Sequence, residues 1–130
     1  MKLKRIGAAL VTTLAVVTGS ALVNATPAAA VGGCPSGKLC LWDTPDYGTI
    51  DVTSTSTKAC IYLQHHGTYG FRGGIRSYVN NLPVNAVVYR WDDFYEIYLL
   101  EGTIRPGGFS SNAPKGWGKL GAVCMGGVNP

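Results

Sequence analysis

The sequence has few of the residues from which catalytic sites are assembled. His65 and His66 are its only histidines. Adjacent residues on a strand point to opposite faces, so the two would not chelate one ion together, and a surface turn accounts for them. No cysteine pair has the C-x-x-C spacing of a redox motif. The serines of Gly107–Asn112 ("GGFSSN") are not set in G-x-S-x-G. Seven acidic residues offer no evident general acid–base pair, and Asp92 and Asp93, being neighbours, splay apart on extended backbone. With no constellation that meets the geometric demands of catalysis, an enzyme is not expected.

Long apolar runs and helical periodicity are also scarce. The one extended apolar stretch lies at the start, where "MKLKR" precedes "IGAALVTTLAVVTGSALV" and "TPAAA". A basic start, a small apolar middle and an A-x-A end read as a secretory signal peptide over residues 1–30, cut after Ala30. No later segment has the roughly 18 apolar residues a membrane span needs, so no membrane association is expected once the leader is gone. The formal net charge of +4 depends on that leader: without Lys2, Lys4 and Arg5, eight basic residues face seven acidic ones. No basic stripe remains to suggest nucleic acid. Residues 31–130 are then expected to form one secreted domain, long enough to bury a core and monomeric.

All four cysteines, Cys34, Cys40, Cys60 and Cys124, fall in that domain. An exported chain meets oxidising conditions, so an even count reads as two disulfides. Three pairings are possible. Cys34–Cys40 with Cys60–Cys124 is preferred, because the first pair closes a small local loop and the second a long one, worth roughly 4 kcal/mol in chain entropy. Zinc sites favour C-x2-4-C spacing with a second matching pair or histidines, whereas five residues separate Cys34 from Cys40.

Between frequent Gly and Pro, short runs rich in Val, Ile, Thr and aromatics read as strands: Leu39–Trp42, Thr49–Thr55, Lys58–Leu63, Ile75–Val79, Ala86–Trp91 and Tyr95–Leu100. In the second, Ile50, Val52 and Ser54 alternate with Asp51, Thr53 and Thr55. "TPDYG", "HHGTYG", "NNLPVN" and "RPGGFSSNAPKG" are turn or loop material. An all-β sandwich or barrel is expected. A weak repeat at an offset of 47 lays Leu41–Gly48 over Val88–Tyr95 and Gly74–Tyr78 over Gly121–Met125. Two such units of about 45 residues would make facing Greek keys, since one unit cannot bury its apolar face alone.

At the residue level "CPSGKLCLWDTPDYG", "GIRSYVNN" and "AVVYRWDDF" resemble the actinobacterial peptidase inhibitor family I36. The matching positions are Cys34, Pro35, Gly37, Cys40, Leu41 and Trp42, then Ser77, Asn80 and Asn81. The resemblance implies a disulfide-stapled, βγ-crystallin-like sandwich of two Greek keys and inhibition of secreted metalloproteinases. It also implies a reactive loop in the second half, bounded by a close cysteine pair; here Tyr89 to Arg105 contains no cysteine. A glycine is implied after the turn aromatic of each unit. Gly48 satisfies this, whereas Tyr95 stands at the second position, so the second unit's first hairpin is expected to differ.

Some relatives of that fold bind calcium through an N/D-N/D-x-x-S/T-S stretch. Asp43, Asp46, Asp92 and Asp93 sit in the two equivalent turns, but neither "NNLPVN" nor "DDFYEI" ends as the pattern requires, so no metal and no cofactor is expected. An extracellular peptidase is the expected partner, and Leu99–Arg105 (Leu99, Leu100, Glu101, Gly102, Thr103, Ile104, Arg105) the expected contact loop. The alternative is a toxin-like or binding module that stacks aromatic rings on cell-wall carbohydrate. The ten tyrosines and tryptophans are otherwise core and corner residues. Phe94–Glu101, partly apolar on both faces, is the segment to watch.

Overall fold

The computed structural model describes residues 30–130. The expected leader lies outside them except for Ala30. After a 3-10 turn at Val31–Gly33 come eight strands: β1 Leu39–Trp42, β2 Val52–Ser54, β3 Cys60–Tyr62, β4 Ser77–Asn80, β5 Ala86–Asp92, β6 Ile97–Ile104, β7 Phe109–Ser110 and β8 Ala122–Met125. A second 3-10 turn, Leu63–His65, follows β3. The described residues contain no α-helix, so no helix among them is long and apolar enough to cross a membrane.

The strands form two antiparallel sheets in the orders β2-β1-β4-β7 and β3-β8-β5-β6. Each half of the chain keeps three strands in one sheet and lends its third to the other. Advancing every strand of the first sheet by four gives the second sheet, so an approximate two-fold relates the halves. The lent strand explains why neither half is complete alone: β3 of the first half pairs only with β8 of the second.

The expected all-β, two-sheet, disulfide-stapled fold is the one observed, with local corrections. Phe109–Ser110 lies in a segment expected to be loop, yet pairs with Tyr78 and Val79 of β4. Tertiary pairing, rather than the propensity of so short a run, makes it a strand. Only Val52–Ser54 of the expected Thr49–Thr55 strand pairs with β1. The repeat also changes register. Leu39 of β1 faces Asn80, and its counterpart Ala86 of β5 faces Met125. The opening strands therefore correspond at an offset of 47 and the closing strands at 45. The sequence alignment of the closing strands matched glycines instead: a Cβ on Gly74 would lie 2.5 Å from the Trp117 carbonyl oxygen, and one on Gly121 only 1.7 Å from that of Tyr89. Both sites demand glycine because backbone passes against backbone.

The main core lies between the sheets. Leu39, Leu41 and Val52 enter it from one side, and Ala86, Val88, Ile104, Val123 and Met125 from the other. Leu63, Phe71, Ile75 and Leu82 seal it from the connections. Each fully buried Leu, Ile or Phe contributes roughly 1.5–3 kcal/mol. A smaller cluster of Cys34, Cys40, Trp42 and Val79 covers the outer face of β1, with Tyr47 and Ile50 packed on it. Both faces of β1 are thus covered, and all four of its residues are buried.

Buried Asn80 holds the passage between the halves. Its amide nitrogen donates to the carbonyls of Val84 and Ile104, each at 2.9 Å, and its oxygen accepts from the Leu82 N–H at 3.0 Å. The polar group is affordable inside because every partner it needs is backbone already in place.

Candidate functional site

The β5–β6 hairpin is the part of the molecule that most exceeds the needs of folding. β5 pairs with β6 from Ala86–Ile104 to Asp92–Ile97. The segment Leu99–Arg105, expected as a loop, is strand up to Ile104. Thr103 and Ile104 are strand formers, and "AVVYRWD" supplies a matching partner for the whole segment. Gly102 marks no turn: it pairs with Val88, and a Cβ there would meet the Trp117 indole at 3.4 Å. Ile104 points into the core. Only Arg105 lies beyond the strand.

A register shift between Val88 and Tyr89 leaves Glu101 as an extra residue in β6. One Glu101 oxygen accepts from Arg90 Nε at 3.1 Å, and the other accepts from the Gly118 N–H. Arg90 also reaches Asp92 at 3.4 Å. The Arg90 side chain is partly exposed, so each ion pair adds little to stability. Their effect is positional, tying the base of the hairpin to the segment before β8.

Asp92 orders the tip. Its Oδ1 accepts from the N–H groups of both Phe94 and Tyr95 at 3.0 Å, the pattern of an Asx turn. Those bonds, the Tyr95 N–H foremost, hold its carboxyl below the usual range, with Arg90 assisting. Glu96 closes the turn with φ of 52°. Exposed apolar side chains stand on this ordered tip, Phe94 at 84 % and Tyr95 at 67 % exposure, and along β6 behind it, Ile97 at 46 % and Leu100 at 67 %. Phe94 and Tyr95 meet edge to face at 4.8 Å. Behind them Trp91 packs on Tyr98 at 4.9 Å, and Tyr98 on Tyr62 at 6.0 Å. Burial, then the neighbouring Tyr62, push the Tyr98 hydroxyl up. β6 is also the edge of its sheet.

The equivalent turn of the first half shows what is unusual here. There Tyr47 folds back on Trp42, ring centroids 5.2 Å apart, and Trp42 Nε1 donates to the Gly48 carbonyl at 3.1 Å. The aromatic corner is tucked in. With Tyr95 where that glycine would be, the second hairpin stays open and its rings project. This is the departure the sequence signalled.

The residues that carried the family resemblance are structural. Both disulfides, Cys34–Cys40 and Cys60–Cys124, are formed. Asn81 Nδ2 donates to the carbonyls of Cys34 and Pro35, which ties the second motif to the first. Ser77 Oγ donates to the Thr44 carbonyl at 2.8 Å and accepts from the Tyr47 N–H. Asn80 and Asn81 are thereby occupied, as is Asp92. Among the described residues no three His, Cys, Asp or Glu side chains are placed to hold a metal. His65 is exposed and His66 half-buried, on and just after the turn following β3.

One region was missed as a site. The connection from His66 to Gly74, of which His65–Gly70 ("HHGTYG") was expected only as turn or loop, projects Tyr69 between two open grooves of about 530 and 480 Å³. Asp43 and Asp51 line the larger one, and the Asp43 N–H donates to Asp51 Oδ2 at 2.7 Å. Burial first, and the Asp51 charge second, raise the Asp43 carboxyl above its ordinary value. The signal in the sequence was a tyrosine in a glycine-rich turn, and nothing local tied it to acids 18 and 26 positions earlier in the chain.

No curated protein and no solved structure matches the chain. The model of peptidase inhibitor family I36 matches residues 27–96, more than half of the chain, from before the first disulfide to the tip of the β5–β6 hairpin. The matched span contains both motif blocks that the structure brings into contact. The chain therefore belongs to peptidase inhibitor family I36.

Proposed function

We propose that this protein inhibits an extracellular metalloproteinase by seating its β5–β6 hairpin in the enzyme's cleft. Family membership implies a peptidase partner; the apolar, ordered tip carries the choice of hairpin. A rigid contact element avoids the ordering cost that a floppy loop would incur on binding. In this chain Asp92 and the Arg90–Glu101 bridge supply that rigidity in place of a second cysteine clip. Phe94 and Leu100 are exposed side chains of the size that fills an apolar subsite. An edge strand such as β6 further offers the extended backbone that a peptidase cleft accepts. Leu99–Arg105 enters this reading as edge strand, with Leu100 as its contact residue.

The same reading places the protein outside the cell as a monomer, residues 1–30 being its leader and 31–130 its domain. Two disulfides support it. It also takes the fold as a βγ-crystallin-like pair of Greek keys, for which the exchange of third strands is the support.

The test is inhibition of a panel of secreted metallo- and serine peptidases by the oxidised domain. The parent should inhibit a metalloproteinase stoichiometrically, and Phe94→Ala and Leu100→Ala should each weaken inhibition by about tenfold or more, the scale of an interface hot spot. Parental inhibition by both variants would exclude the hairpin. Inhibition confined to serine peptidases would exclude the metalloproteinase assignment.

A further inference from the structure

We propose that the cleft beside Tyr69 is a binding site for a neutral, hydroxyl-rich saccharide chain, distinct from the peptidase-contacting hairpin. Tyr69 is 72 % exposed and lines both grooves, so it forms a ridge between them. The larger groove presents Asp43, Asp51, Thr44, Thr49 and Arg72 around that ring. The smaller adds Gln64 and His65 on the far side.

The lining selects the ligand. Apart from Tyr69 and Gly73, every side chain lining the larger groove carries a polar group beside apolar surface, a mixture that matches the hydroxyls and C–H faces of a sugar. Its charged groups are of both signs. The carboxylates of Asp43 and Asp51 disfavour a phosphate or another acid, and the Arg72 guanidinium disfavours a cationic side chain. A neutral polyol suits both signs at once. Its hydroxyls donate to carboxylates and accept from a guanidinium, whose planar fork matches adjacent oxygens. The two ion pairs among the described residues both belong to Arg90, which leaves Arg72 available to a ligand. Threonine hydroxyls serve either role. An exposed tyrosine offers a flat apolar face for the C–H side of a sugar ring and a polar rim for its edge. Two grooves that share Thr68, Tyr69 and Arg72 suit successive units of a chain better than one small molecule.

The ridge is held in place by the fold. Leu63 and Phe71, both buried, anchor the connection on either side. The Leu63 N–H donates to the Gly121 carbonyl, and the Phe71 carbonyl accepts from Gly74 and Leu120. Gly67 sits directly over the two acids: a Cβ there would lie 3.3 Å from Asp51 Oδ1 and 3.5 Å from Asp43 Oδ2. A groove kept open by this packing needs no rearrangement to receive a ligand.

The experiment is depletion of the oxidised protein from solution by insoluble cellulose, chitin and xylan, with soluble oligosaccharides of each as competitors. The parent should be depleted by at least one polymer and released by the matching oligosaccharide. Tyr69→Ala and Arg72→Ala, both at exposed positions, should each reduce retention about tenfold or more and leave peptidase inhibition unchanged. Tyr95→Ala on the hairpin should retain normally. The proposal is overturned by no depletion on any of the three polymers. It is equally overturned by unchanged retention of Tyr69→Ala, or by loss of retention in Tyr95→Ala alone, which would place the contact on the hairpin.

Discussion

The two disulfides should differ in worth by about twofold, and the difference can be worked from where they close the chain. Cys34 and Cys40 are 6 positions apart, Cys60 and Cys124 64 apart. The loop-closure relation then assigns about 2 kcal/mol to the short bridge and about 4 kcal/mol to the long one. Replacing either pair by alanines removes two sulfurs, and about 2 kcal/mol of chain entropy should separate the variants, a gap narrowed by packing because Cys34 and Cys40 are both buried whereas Cys60 is half-buried. For a domain of this size that is roughly 8–16 °C in Tm. Urea unfolding followed by tryptophan fluorescence, to which buried Trp42 contributes, would measure it. The structure adds a local signature. β3 is joined to its sheet through three residue pairs with β8, one of them the disulfide itself. Without the bridge, the amides of Ile61 and Tyr62 should lose hydrogen-exchange protection before those of β5. Equal stabilities for the two variants, or a larger loss on opening Cys34–Cys40, would refute the argument that the long bridge acts by restraining the unfolded chain.

Three further outcomes are expected. Asn80→Ala leaves the Leu82 N–H and the Val84 and Ile104 carbonyls without their side-chain partner and should cost about 3 kcal/mol in urea unfolding. Asp92→Ala removes the two bonds that order the hairpin tip and should weaken peptidase inhibition several-fold without changing the Tm by more than a few degrees; unchanged inhibition constants would show that the tip is ordered by other means. Asp43 has a folded-state pKa above 3.8, so its protonated form favours the fold: its contribution is greatest below pH 3.8 and is lost as pH rises through the raised value. Asp43→Asn should therefore be more stable than the parent at pH 7 and lose that advantage below pH 3.8, and an advantage independent of pH in unfolding curves would refute the cause.

Much of the architecture was legible because its signals are local. Val, Ile, Thr and aromatic runs between Gly and Pro marked six of the eight strands, and cysteine spacing favoured the pairing that is formed. β7 was not legible, since Phe109 and Ser110 become a strand only by pairing with β4. The segment after Tyr98 was misread because Gly102 before a proline suggests a loop, whereas in space it makes room for Trp117. The hairpin's exposure was half legible. Tyr95 in place of a glycine announced a different turn, but Asp92 as its organiser and Arg90–Glu101 as its brace depend on a bulge that no spacing reveals. The Tyr69 cleft was not legible at all, because Asp43 and Asp51 reach it from another part of the chain.

The sequence by itself determined the class of the protein: short alternating strands, four cysteines in two bridges, two related halves, and the motif residues of a peptidase inhibitor family. The first three follow from propensity, period and spacing, which act between neighbours along the chain, and the last from the resemblance of its motifs. The tertiary structure decided which strand each half lends to the other, the register of the closing strands, and which aromatic rings remain outside. Those depend on the fit of backbone to backbone at Gly74 and Gly121 and of ring to ring at Trp42 and Tyr47. They are contacts between residues far apart in sequence, and they exist only once both sheets have closed on a common core.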